Sequence, residues 1–171
     1  DGKVTLIEFG DFQCPACAAY EPIIRQVMAD NKDTVKFSFR HFPLTQIHKN
    51  ALLAAKASEA AALQGKFWEM HDLLYDKQEE WGSALNAREY ITLYANTLKL
   101  DSKKFFADVD SKAIEAKVLA EYKEGVRLGV QGTPTFFVNG KRVEPSPRDL
   151  ASFNAVIQAA LKESSGTPVK K

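Results

Sequence analysis

Cysteine is scarce in this chain, at two residues in 171. A small secreted scaffold stapled by disulfides has more cysteines at wider spacings. A closed zinc site takes four ligands, and two thiols supply half of one. An excess of charge of one sign is lacking too, since 23 Lys and Arg face 22 Asp and Glu for a net charge of +1. No basic block or stripe remains for nucleic acid or an anionic membrane, so no nucleic-acid partner is expected. No apolar run approaches the roughly 18 residues that a membrane span needs, and no basic-then-apolar leader opens the chain. Asp1 does not read as a native start, which leaves room for a leader or anchor that has been removed. There is no internal repeat.

What is present is the composition of a globular domain, 45% hydrophobic and 11% aromatic. A chain of this length is one domain, or one domain with an insertion, and buries roughly 70% of its unfolded surface without a covalent staple. Residues Val4 to Phe9, closed by Gly10, form a short apolar run suited to a strand buried on both faces, with Glu8 the exception. Asp11-Phe12-Gln13 reads as a turn. A helix follows in which Ala18, Ala19, Ile23, Ile24, Val27 and Met28 recur at helical spacing, and Pro22 is expected to kink it. Thr34 to Phe39 alternates as a second strand, so the start of the chain is a β-α-β unit with a parallel pair and a right-handed crossover.

Residues 46–128 are rich in Ala, Leu, Lys and Glu and hold no convincing strand. Helices are expected over 47–64, stopped by Gly65; around Phe67, His71 and Leu74; after Asn86 with Glu89; after Asp101; and over 112–128, stopped by Gly129. Thr135 to Val138 restores strand character, Asn139-Gly140 is a hairpin signal, and Lys141 to Glu144 is the expected return strand. Pro145 and Pro147 break it, and a helix follows from Asp149 to about Leu161. The expected organisation is a discontinuous domain over 1–45 and 129–163, an all-helical insertion over 46–128, and a disordered polar tail over 164–171.

The two cysteines frame Cys14-Pro15-Ala16-Cys17, at the junction of the first strand and the first helix. Proline is favoured at the first position inside a helix, which makes Cys14 the N-cap and sets Cys17 about one turn deeper. A cap faces the free N–H groups two and three residues on, here those of Ala16 and Cys17, and the positive end of the helix dipole. Both favour a thiolate at Cys14. An exposed thiolate beside a shielded thiol is what thiol–disulfide exchange requires: one attacks, the other resolves. A metal half-site completed by His41, His48 or His71 is the weaker reading. These histidines share no ligand spacing and read as surface or packed residues.

The segment Glu8-Phe-Gly-Asp-Phe-Gln-Cys-Pro-Ala-Cys, with Gly132-Thr-Pro-Thr-Phe-Phe-Val-Asn-Gly far downstream, resembles the DsbA-like branch of the thioredoxin superfamily over nearly the whole chain. The resemblance implies an α/β thioredoxin fold, a mixed central sheet of β-α-β plus β-β-α with an all-helical insertion. It implies that Pro134 is a cis-proline facing the cysteine pair and that Thr133 and Pro134, with Phe12, meet an extended substrate by strand addition. It also implies that Glu8, six residues before Cys14, is a buried acid relaying a proton to or from Cys17. Lys36 and Arg40 are its candidate partners otherwise. Pro15 and Ala16 tune the potential, and the best-known members carry histidine where this chain has Ala16.

The expected activity is disulfide introduction into cysteine-containing proteins, with Cys14 as nucleophile and Cys17 as resolving thiol. The redox-active disulfide Cys14–Cys17 is the only redox group, with no metal or organic cofactor. The resemblance places this work in an extracytoplasmic compartment, periplasmic or in the cell envelope, with a membrane redox partner that recharges the disulfide. No dimerisation segment is evident, so a monomer is expected. The alternatives are a reductase or isomerase using the same residues, whose direction is set by potential, and a chaperone-like peptide binder with a vestigial disulfide.

Overall fold

The computed structural model describes residues 4–166, with eight helices and four strands among them. The sheet is mixed, in the order β2-β1-β3-β4. The central strand β1 (Val4–Gly10) runs parallel to β2 (Val35–His41), with Val4 opposite Val35 and Gly10 opposite His41. On its other side β1 pairs antiparallel with β3 (Thr135–Val138), which turns back into β4 (Lys141–Arg142). The turn has φ of 49° at Asn139 and 77° at Gly140, the two positive values that a two-residue hairpin of this kind demands.

Successive side chains of β1 alternate between the sheet's faces. Val4 and Leu6 pack with Ile24 and Val27 of α1 (Pro15–Asp30) and with Phe153 and Ile157 of α8 (Leu150–Gly166). Phe9 points the other way, into Phe42, Val130 and Phe137. Glu8 shares the face of Val4 and Leu6, so its carboxylate enters the layer that α1 covers. The helix α1 passes through Pro22 as one element of 16 residues.

Between β2 and β3 the chain forms α2 (Ala51–Ala62), α3 (Phe67–Asp76), α4 (Gln78–Trp81), α5 (Ala87–Thr97), α6 (Ser102–Val109) and α7 (Lys112–Arg127). Buried alanines of α2, including Ala54, Ala57 and Ala60, admit close neighbours, and Met70, Leu74, Trp81, Ile91 and Phe105 fill the space between the helices. Phe12, Cys14, Cys17 and Phe39 belong to that same core. Helical layer and cysteine pair therefore share one apolar interior. Asp101 caps α6 by accepting from the Lys104 N–H at 2.9 Å, as its position implied.

Several boundaries differ from expectation. The helix α2 starts at Ala51 rather than near Ile47, because the N–H groups of Ile47 and His48 close a turn on the Leu44 carbonyl. The helix α4 was not anticipated, since four residues are too few for a periodic pattern. The strand β4 is two residues long, although the Val143 N–H still reaches the Phe136 carbonyl. The tail expected from Ser164 is corrected, because α8 continues to Gly166 and 164–166 are helical. Residues 167–171 of that tail lie outside the described residues.

At Gly125, α7 comes close against the rings of Phe42 and Phe9. A Cβ there would stand 2.6 Å from Phe42 Cδ2 and 3.0 Å from Phe9 Cδ1. Alanine in a helix gains about 1 kcal/mol over glycine, whereas overpacking a fixed core costs about 1–3 kcal/mol. Phe42 is buried and stacked on Tyr122, with centroids 4.6 Å apart, so it has little room to yield. Gly125→Ala is expected to lower stability by up to about 2 kcal/mol net of the helix gain, read from the midpoint of urea unfolding.

Candidate active site

The turn that delivers the cysteines is tied down on both sides. Buried Asp11 accepts from the Gln13 N–H at 2.7 Å and the Leu44 N–H at 2.9 Å, and its Oδ2 lies 2.7 Å from His48 Nδ1. Gln13 donates to the Gly82 carbonyl at 2.6 Å and accepts from the Asn50 N–H at 2.7 Å. Gln78, the first residue of α4, donates to the carbonyls of Phe12 at 2.7 Å and Cys14 at 3.0 Å. These bonds satisfy backbone groups of a non-helical segment that is otherwise shut away from water. They hold Cys14 at the N-cap of α1 in extended conformation (φ −73°, ψ 120°), with Pro15 in the first turn.

Both cysteines are free thiols. Cys14 keeps 7% of its surface and Cys17 keeps 1%, while Pro15 and Ala16 between them are exposed. The nucleophile of the sequence reading is thus a narrow window rather than an open cap. The Cys14 thiol is lowered from 9.0 to about 5. The largest cause is the hydrogen bond from the Cys17 thiol. Burial opposes it, and the Thr133 side chain and the N–H groups of Cys17 and Ala16 contribute further. The second thiol is a larger cause than the helix N–H groups on which the sequence argument relied. As a thiol, Cys14 donates to the Thr133 carbonyl at 3.4 Å. Cys17 is raised well above its ordinary value, first by burial, then by donating to Cys14, then by the charge of Glu8.

Glu8 is buried, and its Oε2 has no partner. Burial raises its carboxyl well above the usual range, and the charges of Glu21 and Cys14 raise it further. The lysine and arginine considered as partners do not reach it: Arg40 bonds Glu121 at 3.0 Å, and Lys36 is exposed opposite Thr5. Thr133 and Pro134 are partly exposed beside Cys14, joined by a cis peptide. Phe12 is the correction among these residues. At 1% exposure, it stacks on Phe39 at 5.0 Å and leans on Tyr75 at 5.1 Å, so its ring floors the site and meets no substrate.

Sequence reasoning missed Asp11, Gln13, Asn50, Gln78 and Tyr75, whose roles are bonds across 30 residues or more that no local spacing announces. His41 and His71 are packed, as their lack of ligand spacing implied. Among the described residues two clusters, Glu21–His71–Asp72 and His41–Glu59–Glu121, have the residue types of a metal site. Each already holds a cationic side chain: Arg25 bonds Glu21 and Asp72, while Lys117 bonds Glu59 and Arg40 bonds Glu121.

A Thioredoxin family model matches residues 1–159. The fold superposes on oxidised BdbD from Bacillus subtilis with a TM-score of 0.82 and 28% identity, covering 95% of this chain and 89% of that one. It superposes on alpha-DsbA1 from Wolbachia pipientis with a TM-score of 0.84, covering 96% and 89%, where 18% identity speaks for the fold alone. Among curated relatives, Na(+)/H(+) antiporter NhaA 1 of Salinispora arenicola is 42% identical over 162 residues, or 94% of this chain and 24% of the antiporter. NhaA 3 of Salinispora tropica is 38% identical over 161 residues, again 94% and 24%. The chain therefore spans about a quarter of the length of the curated relatives it matches. With a thiol pair at the head of α1 on this sheet, the chain belongs to the Thioredoxin family and shares the fold of the DsbA-type thiol–disulfide enzymes.

Proposed function

We propose that the protein introduces disulfides into cysteine-containing proteins outside the cytoplasm. The observation that carries this reading is the asymmetry of the pair: a Cys14 thiol lowered to about 5 beside a Cys17 thiol raised well above 9.0. A substrate thiolate attacks the sulfur of Cys14 in the Cys14–Cys17 disulfide, and Cys17 leaves and takes a proton from Glu8. A second substrate thiolate then attacks the substrate sulfur of the mixed disulfide and expels Cys14 as a stable thiolate. Thr133 and Pro134 line the partly exposed edge beside Cys14 and offer an extended substrate its backbone partners. Exposed Pro15 and Ala16 meet it from α1. The electrons reside in the cysteine pair, so no further cofactor is invoked, and the protein works as a monomer.

A low pKa favours the oxidising direction, because it stabilises the reduced form. Similarity to a segment of membrane antiporters supports a place at the membrane, where a redox partner recharges the disulfide. Ion transport is not carried over to this chain, in which no described helix is long and apolar enough to cross a membrane. Equilibration in glutathione buffers tests the direction. A potential as reducing as that of thioredoxin would favour the reductase alternative, and insulin reduction unaffected by Cys14→Ser would favour a peptide binder.

In the reduced protein, thiolate absorbance should disappear as pH falls through about 5, and a limiting dose of iodoacetamide should label Cys14 ahead of Cys17. Because the folded pKa of Cys14 is depressed, its stabilisation is full above the unfolded value of 9.0 and is lost as pH falls through about 5. The stability of the reduced form relative to the oxidised form should accordingly rise by about 1.4 kcal/mol per pH unit between those limits, as urea unfolding of both forms would show. Equal labelling of the two thiols would reverse the assignment of roles.

Cys17→Ala removes the resolving thiol and the hydrogen bond that lowers Cys14. The variant is expected to accumulate reductant-sensitive adducts with disulfide-bearing clients, formed when the Cys14 thiolate attacks a client disulfide and expels one client thiolate, seen on non-reducing gels. Its Cys14 pKa, by thiolate absorbance, should move up toward 9.0.

A further inference from the structure

A histidine stands beside the thiol pair on the flank away from Thr133 and Pro134. The end of β1 that leads to Cys14 lies level with the end of β2 and the start of β3, with β1 between them. The loop after β2, which carries His48, and the loop before β3, which carries Thr133, therefore border the Cys14 turn from opposite sides. The N–H groups of Gln13 and Leu44 point at the fully buried Asp11 carboxylate, at 2.7 and 2.9 Å. With those donors on its oxygens, Asp11 accepts a third hydrogen bond from His48 Nδ1–H at 2.7 Å. In the neutral imidazole the lone pair then sits on Nε2, which has no hydrogen-bond partner among the described residues. The bond to Leu44 already ties this loop to Asp11, and the His48 N–H donates to the Leu44 carbonyl at 2.9 Å, so the loop is held without the ring. The His48 side chain keeps 15% of its surface and lines a cleft of about 280 Å³ with Pro15, Gln78, Glu79 and Ser83. Pro15 is the exposed residue that follows Cys14, so the cleft opens at the approach to the reactive sulfur.

We infer that His48 is the base that takes the proton from a client thiol entering beside Pro15, with Asp11 as the residue that positions its ring. The inference rests on the reading of the Cys14–Cys17 disulfide as the acceptor of client electrons. A free cysteine titrates at about 8.5, so a client thiol is mostly protonated at neutral pH and a poor nucleophile. In the first step the thiol hydrogen passes to His48 Nε2, and the client thiolate attacks the sulfur of Cys14. The client–Cys14 bond forms, the Cys14–Cys17 bond breaks, and its electron pair leaves on Cys17, which takes a proton. The imidazolium keeps Nδ1–H on the Asp11 carboxylate and gives its Nε2 proton to water in the cleft. The second client thiol is deprotonated in the same way, attacks the client sulfur of the mixed disulfide and expels Cys14 as thiolate. The two client thiols thus lose two electrons and two protons. The cysteine pair gains both electrons, Cys17 gains one proton, and the other proton goes to solvent. Asp11 serves as a buried carboxylate that fixes the tautomer and orientation of a catalytic imidazole. The titratable groups facing His48 are Asp11, from the turn after β1, and Glu79 across the cleft from α4, while exposed Lys49 follows it on its own loop. His48 is not among the main causes that lower the Cys14 thiol, so its task concerns the client's proton.

The test is the rate at which excess thiol reduces the oxidised protein, quenched in acid and read by chromatographic separation of the oxidised and reduced forms. Two thiols are compared across neutral and alkaline pH: a peptide with two cysteines, and 4-mercaptobenzoate, an aromatic thiol already ionised at neutral pH. His48→Asn keeps an N–H for Asp11 and removes the base. Its reaction with the peptide is expected to be slower than wild type by about tenfold or more near neutral pH, the deficit fading as pH rises past about 8.5. Its reaction with 4-mercaptobenzoate should keep the wild-type rate, because that thiol has no proton to give up. The Cys14 pKa of the reduced variant should stay at about 5. Small imidazole buffers should restore the peptide reaction of His48→Gly, which decides the matter if His48→Asn does not fold. A merely structural histidine would give a deficit of equal size with both thiols. That result, or a peptide reaction as fast as wild type, would overturn the base and leave the exchange reading standing. Oxidised wild-type protein that accepts electrons from neither thiol would remove the exchange reading, and the base with it.

Discussion

The chemistry at this site depends on Cys17 keeping its proton. A sulfur carries charge at neutral pH when something donates to it, and here the donor is the neighbouring thiol rather than a histidine or an arginine. That donor is dependable because it is buried: burial, the Cys14 sulfur and the negative field of Glu8 all hold the proton on Cys17. The same low-polarity interior that penalises charge therefore creates one, by fixing which of two identical groups must be neutral. The helix N-terminus adds to the effect, and Ala16, which brings no charge of its own, leaves the thiol pair to dominate.

Holding the pair in that arrangement falls to side chains far away in sequence. Gln78 and Gln13 satisfy the backbone on either side of Cys14, and Asp11 binds the turn to the loop after β2. The short helix α4 is part of this hold. Its four residues place Gln78 over the turn, and buried Trp81 anchors it by donating to the Leu74 carbonyl at 2.8 Å.

The architecture was legible in the sequence to the extent that it is local. An apolar run marked β1, alternation marked β2, β-branched and aromatic residues marked β3, helical spacing with start and stop residues marked most helices, and Asn139-Gly140 marked the hairpin, because these features depend on neighbours a few residues apart. The cysteine pair was legible for the same reason, as its spacing and its proline are local. Glu8 stood out as an acid in an apolar strand, but its surroundings were not readable. The arginine and lysine that seemed available in sequence lie elsewhere, and Glu21, which does influence it, carries no local signal that sets it beneath the strand. Phe12 was misplaced because a ring next to an active cysteine gives no sign of whether it faces out or in. Only the convergence of Phe39 and Tyr75 on it decides that.

The shared core has a further meaning. Because Phe12, Cys14 and Cys17 pack in the same apolar cluster as Ala57, Leu74 and Ile91, the helical block is not a cassette that can be exchanged between scaffolds while leaving the thiols untouched. A change of side-chain volume deep in α2, α3 or α5 is transmitted as a change in the walls around the sulfurs, since a close-packed interior has no slack to absorb it. Lineages that diversify their helical block to suit new neighbours would thereby retune their sulfur chemistry as well, and the two properties are bound to drift together.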